Sequence, residues 1–196
     1  MTAEIILILI VAFVMGSIPF GVIIAKSKGV DLKKIGSKNI GATNVLRSLG
    51  KGPAALTLFG DLLKGTVAVA IGRYFGIGLF YEGLVGLSAI LGHNFSLFLK
   101  FRGGKGVATS LGVLCIYSPQ TAFFTFIIWL VVILLTRYSS LGALVSFGLL
   151  PINMILFDDK EKVLTALLMA ILIFSRHVDN IYRLIKGNER KIGERP

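Results

Sequence analysis

Ile5-Ile6-Leu7-Ile8-Leu9-Ile10-Val11-Ala12-Phe13-Val14-Met15-Gly16-Ser17-Ile18-Pro19-Phe20-Gly21-Val22-Ile23-Ile24-Ala25 contains no charge. At ~1.5 Å per helical residue this run reaches across ~30 Å of hydrocarbon. Glu4 stands where a secretory leader would carry positive charge, and no cleavage site follows, so the run reads as a retained first span. Pro19 is expected to kink or loosen it near its inner end.

The whole chain has the same character. Its 196 residues are 55% hydrophobic and only 16% charged, with mean hydropathy +0.83, whereas an average soluble domain carries about 25% charged residues. Those values describe a polytopic membrane protein, all-α because only helices satisfy their backbone within one segment in lipid. The net charge of +11 does not point to nucleic acid, since the cations sit in short loops and not on a basic face interleaved with aromatics. Cys115 is the single cysteine, which excludes a disulfide framework and a cysteine metal site.

Working outward from the first span, Lys26 to Gly52 carries Lys26, Lys28, Lys33, Lys34, Lys38, Arg47 and Lys51 and is therefore assigned to the cytoplasm. Pro53 to Gly72 returns outward, Arg73 to Glu82 forms an outer loop, and Gly83 to Leu99 comes back. Val107 to Tyr117 is short for a crossing, and Ser118-Pro119 is a cap and first-turn pair for a helix running to Thr136. Leu141 to Phe157 leads to the mostly acidic Asp158-Asp159-Lys160-Glu161. Val163 to Phe174 begins the last span, and Arg176, Arg183, Lys186, Arg190, Lys191 and Arg195 follow it. The expectation is seven transmembrane helices in one domain over residues 1–196, amino terminus outside and carboxyl terminus cytoplasmic.

Polar residues in such a chain need a reason, because burial in lipid is expensive unless they are paired or hydrated. They gather toward one side. Phe101-Arg102-Gly103-Gly104-Lys105-Gly106-Val107-Ala108-Thr109 places glycines and cations where a backbone can curl around an oxyanion. It is not a Walker A loop, since Gly106 follows Lys105 and Leu99 occupies the outer glycine position. Gly36-Ser37-Lys38-Asn39-Ile40-Gly41-Ala42-Thr43-Asn44-Val45-Leu46-Arg47 offers short donors and a bidentate cation for phosphate; its neighbours Lys26, Lys28, Lys33 and Lys34 read as solvated. Asp61 and Lys64 are spaced for a helical ion pair, and Lys64 lies deep enough to need that partner or a wet cavity. His93-Asn94 either bound the same cavity or are structural. Turn and cap chemistry explains Ser139-Ser140, with substrate contact as the lesser alternative. His177 and Asn180 share a helical stripe and can face one pocket, while Glu189 reads as a partner for an inner cation.

These stretches together carry a resemblance. Gly16-Ser17-Ile18-Pro19-Phe20-Gly21, the Gly36–Arg47 stretch, Asp61-Leu62-Leu63-Lys64-Gly65, Gly92-His93-Asn94-Phe95, the Phe101–Thr109 stretch, Arg137-Tyr138-Ser139-Ser140, and His177-Val178-Asp179-Asn180-Ile181 with Gly187-Asn188-Glu189 resemble, in order and spacing, the bacterial acyl-phosphate-dependent glycerol-3-phosphate acyltransferases known as PlsY. The resemblance covers nearly the whole chain. It implies acyl transfer from acyl phosphate to the sn-1 hydroxyl of glycerol 3-phosphate at the cytoplasmic face of the bacterial inner membrane, giving lysophosphatidate and phosphate.

Catalytic roles are expected for Lys105, His177 and Asn180, and substrate binding for Ser37, Gly41, Thr43, Asn44, Arg47, Lys64, His93, Asn94, Arg102, Gly103 and Gly104. An acyl phosphate is already activated, so no covalent nucleophile is required, and no Ser-His-Asp set is evident. The proton acceptor is either His177, whose imidazole ordinarily titrates near neutrality, or the donor's own phosphate. No cofactor or metal is expected, the carboxylates being few and scattered. A transporter of a small phosphate-bearing anion is the alternative, although such proteins place polar groups near the midplane in paired halves. A scaffold binding anionic lipid would explain the lysines but not the Gly, Asn, Thr and His motifs.

Overall fold

Pro19 divides the first apolar run. In the computed structural model, which describes residues 2–194, α1 (Thr2–Ser17) and α2 (Phe20–Lys26) meet at Ile18-Pro19. Proline has no N–H to continue the ladder, and the Ile18 carbonyl accepts from Phe20 N–H at 3.2 Å and from the Lys64 ammonium at 3.1 Å. The break is thus stitched to another span. Arg195 lies outside the described residues.

The order continues with α3 (Ala42–Leu49), α4 (Lys51–Tyr74), α5 (Leu79–Asn94), α6 (Val107–Tyr117), α7 (Pro119–Thr136), α8 (Ser139–Gly148), α9 (Leu150–Phe157), α10 (Val163–Arg176) and α11 (Val178–Ile185). No strand occurs among the described residues. Pro119 opens α7 in its first turn, as its fixed φ favours. The loop expected over Arg73 to Glu82 is mostly helix, and Arg73 closes the remaining turn by an ion pair to Glu82 at 2.8 Å.

Four stretches are long and apolar enough to cross a bilayer: Thr2–Lys26, Lys51–Tyr74, Leu79–Leu99 and Pro119–Thr136. Counting each bent pair as one span makes six. The pair α8 and α9 bends by 43° just before Pro151, and the pair ending in α10 and α11 bends by 63° at His177. Helix α6 is apolar but has only 11 residues.

Helices pack closely where they carry no side chain. A β-carbon on Gly112 of α6 would collide with the Leu62 carbonyl of α4, and one on Gly65 would collide with the Thr109 carbonyl. Small residues of this kind let membrane helices approach backbone to backbone, and Thr66 adds a hydrogen bond from Oγ1 to the Gly112 carbonyl at 2.9 Å. Val69, Ile90, Val113, Leu114, Phe147, Met154 and Met169 fill the centre, joining α4, α5, α6, α8, α9 and α10. Helix α7 buries only Thr121, Ala122 and Thr125 and turns Phe123, Leu134 and Leu135 outward. A helix apolar on all sides with one narrow buried stripe is built for contact with lipid.

At the end of the bundle near the α6–α7 turn, Lys162 binds Asp158 at 2.7 Å and the Tyr117 carbonyl at 2.9 Å, and Ser118 donates to Asp158. The Gly-rich loop and the starts of α3 and α8 lie at the other end, where most of the cations are.

Candidate active site

Helices α3, α6 and α8 are among those that begin at one cavity of about 600 Å³. Gly41, Ala42 and Thr43 bring the start of α3 to it; Gly106, Val107 and Ala108 the start of α6; Ser139 and Ser140 the start of α8. Thr43 and Ser139 join two of these ends through their hydroxyls at 3.2 Å. None of the three has a side-chain cap. In α6 and α8 the first intrahelical bonds run from Ser110 N–H to Gly106 at 2.7 Å and from Gly142 N–H to Tyr138 at 3.1 Å, whereas in α3 Asn44 N–H already reaches Gly41 at 3.0 Å. The preceding N–H groups and the helix dipoles therefore favour an anion here.

Charge is added by Lys105 and Arg47, which line the same cavity with His177 and Asn180. Lys105 donates through Nζ to Asn180 Oδ1, and Asn180 Nδ2 donates to Glu189 Oε1 at 2.6 Å. Glu189 also accepts from Ser140 Oγ at 2.8 Å and from Arg183 Nε at 2.7 Å. One carboxylate thus organises the cations from the C-terminal side. Burial alone would raise the Glu189 pKa, but hydrogen bonds from Ser140, Arg183 and Asn180 outweigh it and hold the group below its ordinary range. Lys105 is lowered to about 8, first by burial and then by the nearby guanidinium groups, with Glu189 opposing.

Arg47 is also desolvated, which lowers its pKa, and it remains a cation because its ordinary value is so high. Its Nη2 donates to the carbonyls of Arg190 at 2.9 Å and Lys191 at 3.2 Å, while Nε is buried without a partner. It both holds the C-terminal segment and keeps one donor unspent. Arg137 secures the same segment through Ile192, accepting from its N–H at 2.8 Å and donating to its carbonyl at 3.1 Å. The buried ring of His177 contacts the Ile173 carbonyl through Nδ1 at 2.8 Å. A carbonyl only accepts, so Nδ1 carries the proton and Nε2 has the free lone pair.

The cavity brings together Ser37, Gly41, Thr43, Asn44, Arg47, His93, Lys105, His177 and Asn180. Several expected phosphate ligands do something else. The N–H groups of Gly103 and Gly104 donate to the Asn94 and His93 carbonyls at 3.1 and 2.9 Å, so these glycines do not cradle an anion. They are small because the loop lies directly on α5: a β-carbon on Gly104 would collide with the His93 ring.

Lys64 does not line the cavity either. It is buried in an ion pair with Asp61 at 2.9 Å and donates to His93 Nδ1 at 2.7 Å, so Lys64, Asp61 and His93 form a packed support beneath the loop. Asn94 lies under Gly106, fully buried. Asn44 spends its side chain on its own loop, accepting from Ser37 N–H at 2.9 Å and donating to the Asn39 carbonyl at 2.8 Å. It shapes the loop. Arg102 lines a separate, smaller cavity.

An apolar arm leads off the polar end. Val107, Leu111 and Cys115 form one stripe of α6, and Pro119, Phe123 and Phe126 face the same space from α7. Val107 to Cys115 spans ~12 Å at helical rise, less than half of a ~30 Å hydrocarbon core. Phe123 is 59% exposed and Cys115 is exposed, so the arm opens sideways to lipid. Its signal in the sequence was the four-residue spacing of 107, 111 and 115, which in an apolar helix is hidden among other apolar residues.

Residues 6–187 match the profile of the glycerol-3-phosphate acyltransferase family. The chain belongs to that family. A glycerol-3-phosphate acyltransferase of Thermus thermophilus is 50% identical over 188 residues, covering 95% of this chain and 94% of its own length. Crystal structures of PlsY, an integral membrane glycerol 3-phosphate acyltransferase, superpose with TM-scores of 0.91 for the glycerol 3-phosphate form and 0.89 for the lysophosphatidic acid form. Each is 40% identical and covers 97% of this chain and 96% of that one.

Proposed function

We propose that the protein moves a fatty acyl group from acyl phosphate to the sn-1 hydroxyl of glycerol 3-phosphate, releasing lysophosphatidate and inorganic phosphate. Family membership supports the reaction class, and the forms in which the similar PlsY was crystallised are those of an acceptor and an acylated product. The observation that carries the reading is one cavity with three uncapped helix starts, Lys105 and Arg47 at its polar end and the α6–α7 arm at its apolar end.

Two substrates that each carry phosphate repel as their reacting atoms approach, so cations and N–H donors on several sides lower the barrier. Lys105, Arg47 and the starts of α3 and α6 are assigned to the phosphates, and the apolar arm to the acyl chain. The glycerol hydroxyl oxygen attacks the acyl carbonyl carbon, the bond from that carbon to the phosphate oxygen breaks, and the hydroxyl proton passes to the departing phosphate or to His177 Nε2. Asn180 holds Lys105 in place. His177→Gln separates the two proton routes: a loss of ~10²–10⁴-fold in kcat belongs to a general base, and a small loss with an unchanged pH profile belongs to the phosphate.

We assign the protein seven crossings, with α6 as the short one, the amino terminus outside, and the cavity facing the cytoplasm of the bacterial inner membrane, because the loops at the cavity end hold most of the cations. Single cysteines introduced at Lys28 and Asp159 in a Cys115→Ser background are expected to react with an impermeant thiol reagent from opposite sides. Purified protein given acyl phosphate and labelled glycerol 3-phosphate should form labelled lysophosphatidate. Movement of glycerol 3-phosphate across liposomes without that product would establish a transporter instead.

A further inference from the structure

Arg102 belongs to the Gly-rich loop but not to the acyl-transfer cavity. It lines a second cavity of about 320 Å³ with Lys33, Lys38, Arg176, Phe101 and Gly103. Four cations surround that space and no carboxylate lines it. None of the ion pairs among the described residues uses Lys33, Lys38 or Arg102. Asp179 influences Arg176 without lining the cavity. Lys33, Lys38 and Arg102 are exposed, so water screens part of their mutual repulsion, and a bound anion would relieve the rest.

The backbone supports this. Lys38, Lys100 and Phe101 have φ of 58°, 54° and 60°, three of the four non-glycine residues with positive φ among those described. Such conformations are uncommon for ordinary side chains and collect at ligand clamps. Arg176 is held in place by its Nε bond to the Gly104 carbonyl at 3.2 Å and by stacking on Phe95 at 5.2 Å. Beside the cations, Leu97, Phe98 and Phe101 are 48%, 57% and 58% exposed. Exposed apolar side chains directly beside the cations suit a lipid, whose charged head group and chains can meet both at once.

We propose that this second cavity binds the phosphate head group of an anionic lipid, with its chains lying over Leu97, Phe98 and Phe101. Lys38 lines both cavities, which places the lipid phosphate next to the acyl-transfer site. This site is additional to the acyltransferase reading and is tested by binding, not by turnover.

The probe is phosphatidate. Protein is released from phosphatidylcholine nanodiscs doped with phosphatidate, and retained lipid is measured by native mass spectrometry. Wild type should retain phosphatidate in preference to phosphatidylcholine, Lys33→Gln with Arg102→Gln should weaken retention at least tenfold, and Lys105→Ala should leave it unchanged. Lys33→Arg with Arg102→Lys, which conserves charge, should retain the lipid. Undiminished retention in the glutamine pair, loss in the charge-conserving pair, loss in Lys105→Ala, or displacement by millimolar inorganic phosphate would each overturn the proposal. Acyl transfer is followed in the same wild-type preparation, and its absence would count against the acyltransferase reading while leaving the lipid result intact.

Discussion

Lys105 is the residue on which chemistry and stability pull in opposite directions. Burial lowers it to about 8 from an ordinary 10.5, so the free protein loses this cation as pH rises through about 8, whereas the unfolded chain keeps it until about 10.5. Between those values the unfolded state binds more protons, and stability rises with pH in that window; near neutrality the charged lysine weakens the fold. Its retention there makes sense only if the charge is used. We expect kcat/KM to fall about tenfold per pH unit above pH 8, and Lys105→Arg, whose guanidinium stays charged, to flatten that limb even at a lower rate. A pH–rate series on both proteins checks this. Lys105→Ala should lose at least ~10²–10³-fold in kcat while inserting normally. The structure brings Lys105, Arg47, His177 and Asn180 to one cavity, as the sequence reading expected from the Gly-rich run, the Gly36–Arg47 stretch and the helical stripe shared by His177 and Asn180. Gly103 and Gly104 were misleading because a glycine looks the same in sequence whether its backbone approaches a phosphate or, as here, the backbone of α5.

Elements supply what single residues cannot. Helices α3, α6 and α8 start at the same place without side-chain caps, and the cost of leaving their N–H groups bare is offset when an anion arrives. The sequence marks helix starts at Val107 and just after Ser139-Ser140, but α3 lies inside what reads as one polar loop from Lys26 to Gly52, and that the three starts converge depends on how α4 packs against α6. The support under the Gly-rich loop was half visible: the Asp61–Lys64 spacing predicts the ion pair, while the bonds from Lys64 to His93 and to the freed Ile18 carbonyl reach two other segments, α5 and the α1–α2 break. Asp61→Asn leaves a buried ammonium without its counter-charge and should destabilise the fold by ~3–5 kcal/mol. A lowered midpoint of thermal unfolding in detergent would register it, and an unchanged midpoint would remove the pair from the scaffold.

For the whole molecule, hydropathy is enough to recognise a helical membrane protein, and the family match agrees with it. The count of crossings is harder to read, since Pro19, the Gly148–Pro151 region and His177 interrupt helices whose composition is continuous. The sideways opening of the α6–α7 arm bears on how the catalyst should be assayed. A donor arriving through the bilayer is met at a surface concentration, as mole fraction among lipids, whereas a water-borne acceptor is met at a bulk concentration. Diluting acyl phosphate with inert phospholipid at constant total donor should therefore slow the reaction, and extra glycerol 3-phosphate should not restore it. Rates that track only bulk donor would mean loading from water, in which case a membrane rich in other lipids would exert no competitive control over how fast this one is made.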